Sequence, residues 1–304
     1  MPVSLSLPRI STNVRFAASA LLFPELAGAW AERLFLTPPR SRDAAATALD
    51  LIDARASFVP HKGRAIATWR WGGRDAPAVL LAHGWGGHAA QMRAFVFPLL
   101  SAGLRVIAYD QPAHGVSEGR LTGLPDFADV LAEVAAHYDV SAVIGHSLGA
   151  AGAALALASG KARGVRTVVL VSPPADMVGY SRRFARWHWM PEPVRRAMQA
   201  AIEERYGVLW ENLDMRRLAP RIGKGAAVRA LVVHDRDDRV VPWTQGAQVA
   251  SHWAGARLLS TDGLGHRRIL EDDLVTRAAA DFISGRSGIV QPLQAELPEP
   301  APLY

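Results

Sequence analysis

Ser141-Ala142-Val143-Ile144-Gly145-His146-Ser147-Leu148-Gly149-Ala150-Ala151-Gly152 decides the fold. Ser141 to Ile144 is a short apolar run suited to a buried strand, and the Ala- and Leu-rich stretch Leu148 to Ser159 favours a helix. Between them Gly145 to Gly149 spells G-x-S-x-G. A strand that turns directly into a helix drives the residue at the corner toward strained backbone angles. Glycines on either side leave room where a Cβ would collide with neighbouring strand or helix. Ser147 then stands at a helix N-terminus, where the N–H of Leu148 can donate to the oxyanion that forms when the hydroxyl attacks a carbonyl.

Around this corner, apolar runs alternate with helical patterns from Arg64 onward. The runs are Ala65 to Trp71, Ala78 to Ala82, Arg105 to Tyr109, Ser141 to Ile144, Val165 to Val171, Val228 to Val233 and Ala256 to Ser260. Helical patterns cover Ala89 to Ala102, Asp126 to Tyr138, Leu148 to Ser159 and Gly246 to Ala254. Near-continuous apolar strands separated by helices predict an α/β fold: a mostly parallel twisted sheet with helices on both faces and its site at the strand carboxyl ends. The alternation breaks between Pro173 and Lys224. Helical patterns at Met177 to Trp189, Pro193 to Tyr206 and Leu209 to Leu218 predict an inserted helical cap.

A serine becomes a nucleophile only when a base takes its proton, so a histidine and an orienting acid are required. Ala230 to Val233 is a strand that stops in His234-Asp235-Arg236-Asp237-Asp238, and Asp262-Gly263-Leu264-Gly265-His266 puts a histidine on a flexible loop farther on. Upstream, His83-Gly84-Trp85-Gly86-Gly87 follows an apolar strand, and its glycines let backbone N–H groups face inward. The N–H of Trp85 is the expected second oxyanion donor, with its ring as a pocket wall. His146, Trp187 and Trp189 are further candidate pocket residues.

Over about residues 60 to 285 the chain resembles the α/β-hydrolase superfamily. Besides the corner at Ser147, Asp110-Gln111-Pro112-Ala113-His114-Gly115-Val116-Ser117 is similar to the family's D-x-x-G-x-G-x-S loop, with Ala113 in place of its first glycine. The family's acid motif, H-G-x-x-D-x-x-V-P, laid on His234 to Pro242 selects Asp238, with Asp235 standing at the glycine. Asp235 and Asp237 remain alternatives. The resemblance implies His266 as base, a Ser147–His266–Asp238 triad, an acyl-enzyme intermediate and no cofactor or metal. A carboxylesterase acting on a small or medium apolar acyl ester is the expected activity. A thioesterase, amidase, lactonase or lipase on the same site is the alternative, and a non-catalytic binding protein on the same fold is one of another class. Arg267 and Arg268 after the base are read as solvent-facing, paired with Glu271, Asp272 or Asp273, or favouring an anionic substrate.

The expected organisation is an N-terminal helical segment (1–60) packed on the core, an α/β core (61–172 and 225–286), a helical cap (173–224) and a flexible tail (287–304). The formal charge is +6 and half of the 304 residues are hydrophobic. Lys occurs only at Lys62, Lys161 and Lys224, and Arg is scattered, so no basic run marks a nucleic-acid surface. There is no Cys, which excludes disulfides, thiolate metal sites and a cysteine nucleophile. Pro24, Glu25, Glu32 and Arg33 interrupt the apolar stretch Phe16 to Leu36, which argues against a membrane span. A signal-peptide core at Phe16 to Phe23, a packed helix with the stripe Leu22, Leu26, Trp30 and Leu34, and peripheral membrane contact are the readings weighed. The localisation expected is cytoplasmic, and oligomeric state is left open.

Overall fold

The structure, a computed structural model, describes residues 24–39, 51, 53–222 and 228–286. The expected tail and the signal-peptide core lie outside these. The strands are β1 (Arg55–His61), β2 (Arg64–Trp71), β3 (Ala78–Ala82), β4 (Arg105–Tyr109), β5 (Val140–His146), β6 (Thr167–Val171), β7 (Arg229–Asp235) and β8 (Arg257–Thr261). Among the described residues these eight form one sheet in the order β1-β2-β4-β3-β5-β6-β7-β8. β2 is antiparallel to β1 and β4, and every other pairing is parallel.

The helices are α1 (Pro24–Leu36), α2 (Val96–Ser101), α3 (Leu124–His137), α4 (Leu148–Ala158), α5 (Met177–Trp187), α6 (Glu192–Tyr206), α7 (Met215–Ile222), α8 (Trp243–His252), α9 (Gly265–Arg268) and α10 (Asp273–Ser284). The single helix expected over Ala89 to Ala102 is a 3₁₀ turn, Ala89–Phe95, followed by α2. Pro98 lacks an N–H and suits only a first helical turn, so the α-helix starts just before it.

The chain forms two compact units, one of residues up to Thr37 with Asp176–Asp214, the other of Pro38–Ala175 with Met215 onward. The larger unit contains the sheet. β3 and β6 are buried at every position, as strands covered on both faces must be. Val79, Leu81, Val106, Ile144, Val169, Val171, Leu231 and Val233 join one core cluster with Phe95, Leu99, Val275 and Phe282. Each such side chain contributes about 1.5–3 kcal/mol through burial. On the opposite face α3 packs on α4, α4 on α7, and α7 on α8.

Two expectations about the N-terminal region need correction. Residues 1–60 are not all helical, because Arg55–His61 is an edge strand paired to β2 through a two-residue turn at Lys62-Gly63, with φ 47° and 75°. Both turn residues at positive φ match the twist of a tight hairpin. Of the stripe read as packed or membrane-facing, Leu22 lies outside the described residues, Leu26 is 68% exposed and Trp30 and Leu34 are half-buried, whereas the fully buried face of α1 is Ala27 and Ala31. In the helical unit this small-residue face lets α1 approach α6 closely: a Cβ added to Gly28 would lie 2.7 Å from Ala197 Cβ. Glu32 and Arg205 pair across the same contact. Phe35 closes the unit against Tyr180 and Phe184, edge to face, and Trp210. The buried Arg195 is neutralised by Glu192 at 2.7 Å and donates to Ser181 and Gln199. The expected cap is also shorter than 173–224, since α7 belongs to the sheet-containing unit.

Candidate active site

β5 ends in His146 and α4 begins at Leu148, so Ser147 is the corner itself, with φ 51° and ψ −119°. That conformation is costly for a residue with a Cβ. It is held by the Ser147 N–H donating to Val171 O on β6 and by Ala150 and Ala151 N–H donating to Ser147 O. The flanking glycines are where the chain has no room. A Cβ on Gly145 would lie 2.7 Å from Ala150 Cα, and one on Gly149 would lie 2.4 Å and 2.5 Å from the carbonyl oxygens of Ala82 and His83.

Ser147 Oγ is 3.1 Å from His266 Nε2, and His266 Nδ1 is 2.7 Å from Asp238 Oδ2. A carboxylate can only accept, so Nδ1 carries the proton and Nε2 is free to accept from the serine hydroxyl. Asp238 lies in the turn after β7, and its Oδ1 accepts from the N–H groups of Val240 and Val241 at 2.8 and 2.9 Å. Burial pushes the Asp238 carboxyl up, but donors from His234, His266 and Val241 outweigh it and hold it well below the usual carboxylate range. His234, which sequence reasoning passed over, sits 3.4 Å from Asp238 Oδ2 and donates through Nε2 to Val241 O.

The two alternative acids face elsewhere. Asp237 Oδ2 accepts from the Gly263 N–H at 2.9 Å. Asp235 is fully buried, and its carboxylate accepts from the N–H groups of Asp237, Leu264 and Gly265 and the hydroxyl of Thr261.

The loop after β3 lies against the corner, since a Cβ on Gly84 would be 2.9 Å from Ser147 Cβ. Its shape is held from below by two histidines. His114 Nε2 accepts from the Gly86 N–H at 2.9 Å while Nδ1 donates to Pro112 O. His83 Nε2 accepts from the Gln111 N–H while Nδ1 donates to Gly84 O. Burial, with the neighbouring His114, pushes the His83 pKa far down. Asp110 accepts from the N–H groups of Ala89 and Val116, and burial nonetheless pushes its carboxyl up to about 6. Ala113 has φ 65°, the left-handed conformation that glycine adopts more readily.

Trp85 is half-buried, its ring stacked at 6.4 Å on Phe127 and edge-on to His114. His146 is buried behind His266, with Nε2 donating to the His266 carbonyl at 2.9 Å. Burial and then the nearby His266 push its pKa down to about 3. Trp187 and Trp189 belong to the helical unit and are 65% and 74% exposed. Arg267 and Arg268 face solvent, and Arg268 donates to the carbonyls of Gly263 and Leu264. It closes its own loop.

A parallel sheet with a serine, a histidine and a carboxylate in hydrogen-bonded series at its carboxyl edge defines the α/β-hydrolase class. The chain belongs to the alpha/beta hydrolase family, whose sequence profile matches residues 79–279. It is 25% identical over 247 residues to a bifunctional esterase/perhydrolase of Acinetobacter calcoaceticus, covering 64% of this chain and 87% of that protein. It is 28% identical over 249 residues to a non-heme chloroperoxidase of Streptomyces lividans, again covering 64% and 87%. Among solved structures, a bacterial membrane phospholipase A matches 92% of this chain and 97% of its own, with a TM-score of 0.59 and 20% identity. That likeness concerns the fold. No helix among the described residues is long and apolar enough to cross a membrane.

Proposed function

We propose that the protein is a serine hydrolase that cleaves carboxylic esters of small or medium apolar acids, with Ser147 as nucleophile, His266 as base and Asp238 as orienting acid. The observation that carries this is the continuous relay from Ser147 Oγ through His266 to Asp238, at 3.1 and 2.7 Å. His266 Nε2 takes the hydroxyl proton as Oγ bonds to the ester carbonyl carbon. The N–H groups of Trp85 and Leu148 hold the resulting oxyanion. As the intermediate collapses, the C–O bond to the alcohol breaks and His266 returns the proton to the leaving oxygen. Water then repeats the sequence on the acyl-enzyme and releases the acid. Asp238 stays ionised throughout, fixing the tautomer and stabilising the imidazolium. Similarity to a protein named for esterase activity supports an ester over the other acyl substrates.

The test is an organophosphonate probe followed by mass mapping, alongside nitrophenyl esters of increasing chain length. A Ser147 adduct, and hydrolysis abolished in Ser147→Ala, are expected. No adduct, or undiminished hydrolysis in that variant, overturns the proposal. The Trp85→Ala variant is expected to shift the preferred chain length.

A further inference from the structure

We propose that Asp235 is the positioning residue for His266: its carboxylate gathers the backbone that delivers the imidazole, with every acceptor site it has occupied. This rests on the serine-hydrolase reading above. Oδ1 accepts from the N–H groups of Asp237 at 3.0 Å and Gly265 at 2.8 Å, and Oδ2 accepts from the Thr261 hydroxyl at 2.7 Å and the Leu264 N–H at 3.0 Å. A carboxylate has about four lone-pair sites, so its capacity is filled.

The need for such a clamp follows from the loop. Gly263 and Gly265 have φ 79° and 67°, and two glycines in series carry more backbone freedom than any other pair. His266 follows directly, and its ring must meet Ser147 and Asp238 within hydrogen-bond distance at once. Asp235 grips the N–H groups of the two preceding residues. On the far side His146 grips the His266 carbonyl at 2.9 Å. Between them the backbone entering and leaving the base is fixed, and Asp238 is left to orient the ring. A glycine at position 235, as in the motif this chain resembles, provides none of these acceptors. Burial pushes the Asp235 carboxyl up, yet its donors hold it below the usual range.

Thr261, whose hydroxyl donates to Oδ2 from the end of β8, offers a control. In Asp235→Asn, the amide oxygen belongs at Oδ1, where two backbone N–H groups point. The NH₂ then replaces Oδ2, where the Thr261 hydroxyl can rotate to accept but the Leu264 N–H loses its acceptor. Thr261→Val removes that accommodation, and the double variant leaves the NH₂ facing a methyl.

The experiment measures steady-state kinetics on a nitrophenyl ester, normalised by phosphonate titration of active sites, with pH profiles and hydrogen exchange of the wild-type backbone. Asp235→Asn is expected to lower kcat about 10- to 100-fold, the effect of misplacing a reacting group by about 1 Å, with KM changed less than about threefold. The ascending limb of its kcat/KM profile shifts, Thr261→Val alone stays within about threefold of wild type, and the double variant falls below Asp235→Asn. In the wild type the Leu264 and Gly265 amides exchange slowly although their loop is partly exposed, a readout independent of whether any variant folds. Fast exchange at both amides, or an Asp235→Asn enzyme with unchanged kcat per titrated site and an unchanged pH profile, overturns the proposal. Absence of a Ser147 adduct in the wild type overturns instead the hydrolase reading beneath it.

Discussion

Replacing Asp238 by asparagine alters one atom and is expected to reverse the hydrogen-bond polarity of the relay. Oδ1 receives the N–H groups of Val240 and Val241 at 2.8 and 2.9 Å, so the amide oxygen must stay there. The other orientation would oppose two N–H groups with a third donor, and leaving the buried one at Val241 unpaired costs about 1–3 kcal/mol. The NH₂ is thereby placed at Oδ2, 2.7 Å from His266 Nδ1, which must then accept. The imidazole proton moves to Nε2, which points at Ser147 Oγ and can no longer take the hydroxyl proton. Losing the correct tautomer in such a relay costs about 10⁴-fold in kcat, or about 5 kcal/mol of transition-state stabilisation at 1.36 kcal/mol per decade. The assay is hydrolysis of a nitrophenyl ester by Asp238→Asn with denaturant unfolding in parallel, where stability should change far less than activity. Asp237→Asn is the control. Its carboxylate serves only the Gly263 N–H among the bonds described, and it should stay within about threefold of wild type, as surface substitutions do. An Asp238→Asn enzyme within about tenfold of wild type, or an Asp237→Asn enzyme that is dead, would refute the tautomer argument.

The strain at Ser147 should be measurable: with φ 51° and ψ −119°, Ser147→Gly should be more stable to urea than Ser147→Ala, by about 1 kcal/mol, both being inactive. Equal midpoints would remove the strain. Gly149→Ala, a substitution that stabilises most helices by about 1 kcal/mol, should here cost about 3 kcal/mol or more, because its Cβ falls 2.4 Å from Ala82 O. An unchanged melting temperature would contradict the packing. His83 and His146 have pKa values pushed below that of an unfolded histidine, so the unfolded chain binds protons first and stability falls as the pH drops below about 6.5. Asp110, pushed up to about 6, has the opposite sign and offsets part of that slope between about pH 4 and 6. Asp110→Asn should therefore steepen the acid loss and His146→Gln should flatten it, as read by unfolding at pH 4.5, 5.5 and 7. Stability independent of pH over that range would overturn these assignments.

What could be read from the chain beforehand was whatever is local. The corner at Ser147, the strand stopping at Asp235 and the glycine loop ahead of His266 are each one run in which composition and turn chemistry agree. The antiparallel edge strand Arg55–His61 was missed because its burial pattern is mostly exposed, and an edge strand carries little apolar signal. The face of α1 was misjudged because large residues are weighted over small ones in a periodic pattern. Ala27 and Ala31 bury through close approach rather than through volume.

The sequence by itself determined that a serine would sit at a strand-to-helix corner, and that a carboxylate-rich strand end and a histidine loop would follow in the order a hydrolase needs. Those statements depend on backbone preferences within a few residues. The motif the chain resembles already favoured Asp238, but where the carboxylates of Asp235, Asp237 and Asp238 point was decided only by the tertiary structure. Three carboxylates within four positions are equivalent in composition and differ only in direction: one toward the imidazole, one into the loop backbone and one to the Gly263 N–H. Direction is set by the pairing of β7 with β8 and by the turn after it, and contacts across 26 to 30 residues leave no trace in a local pattern.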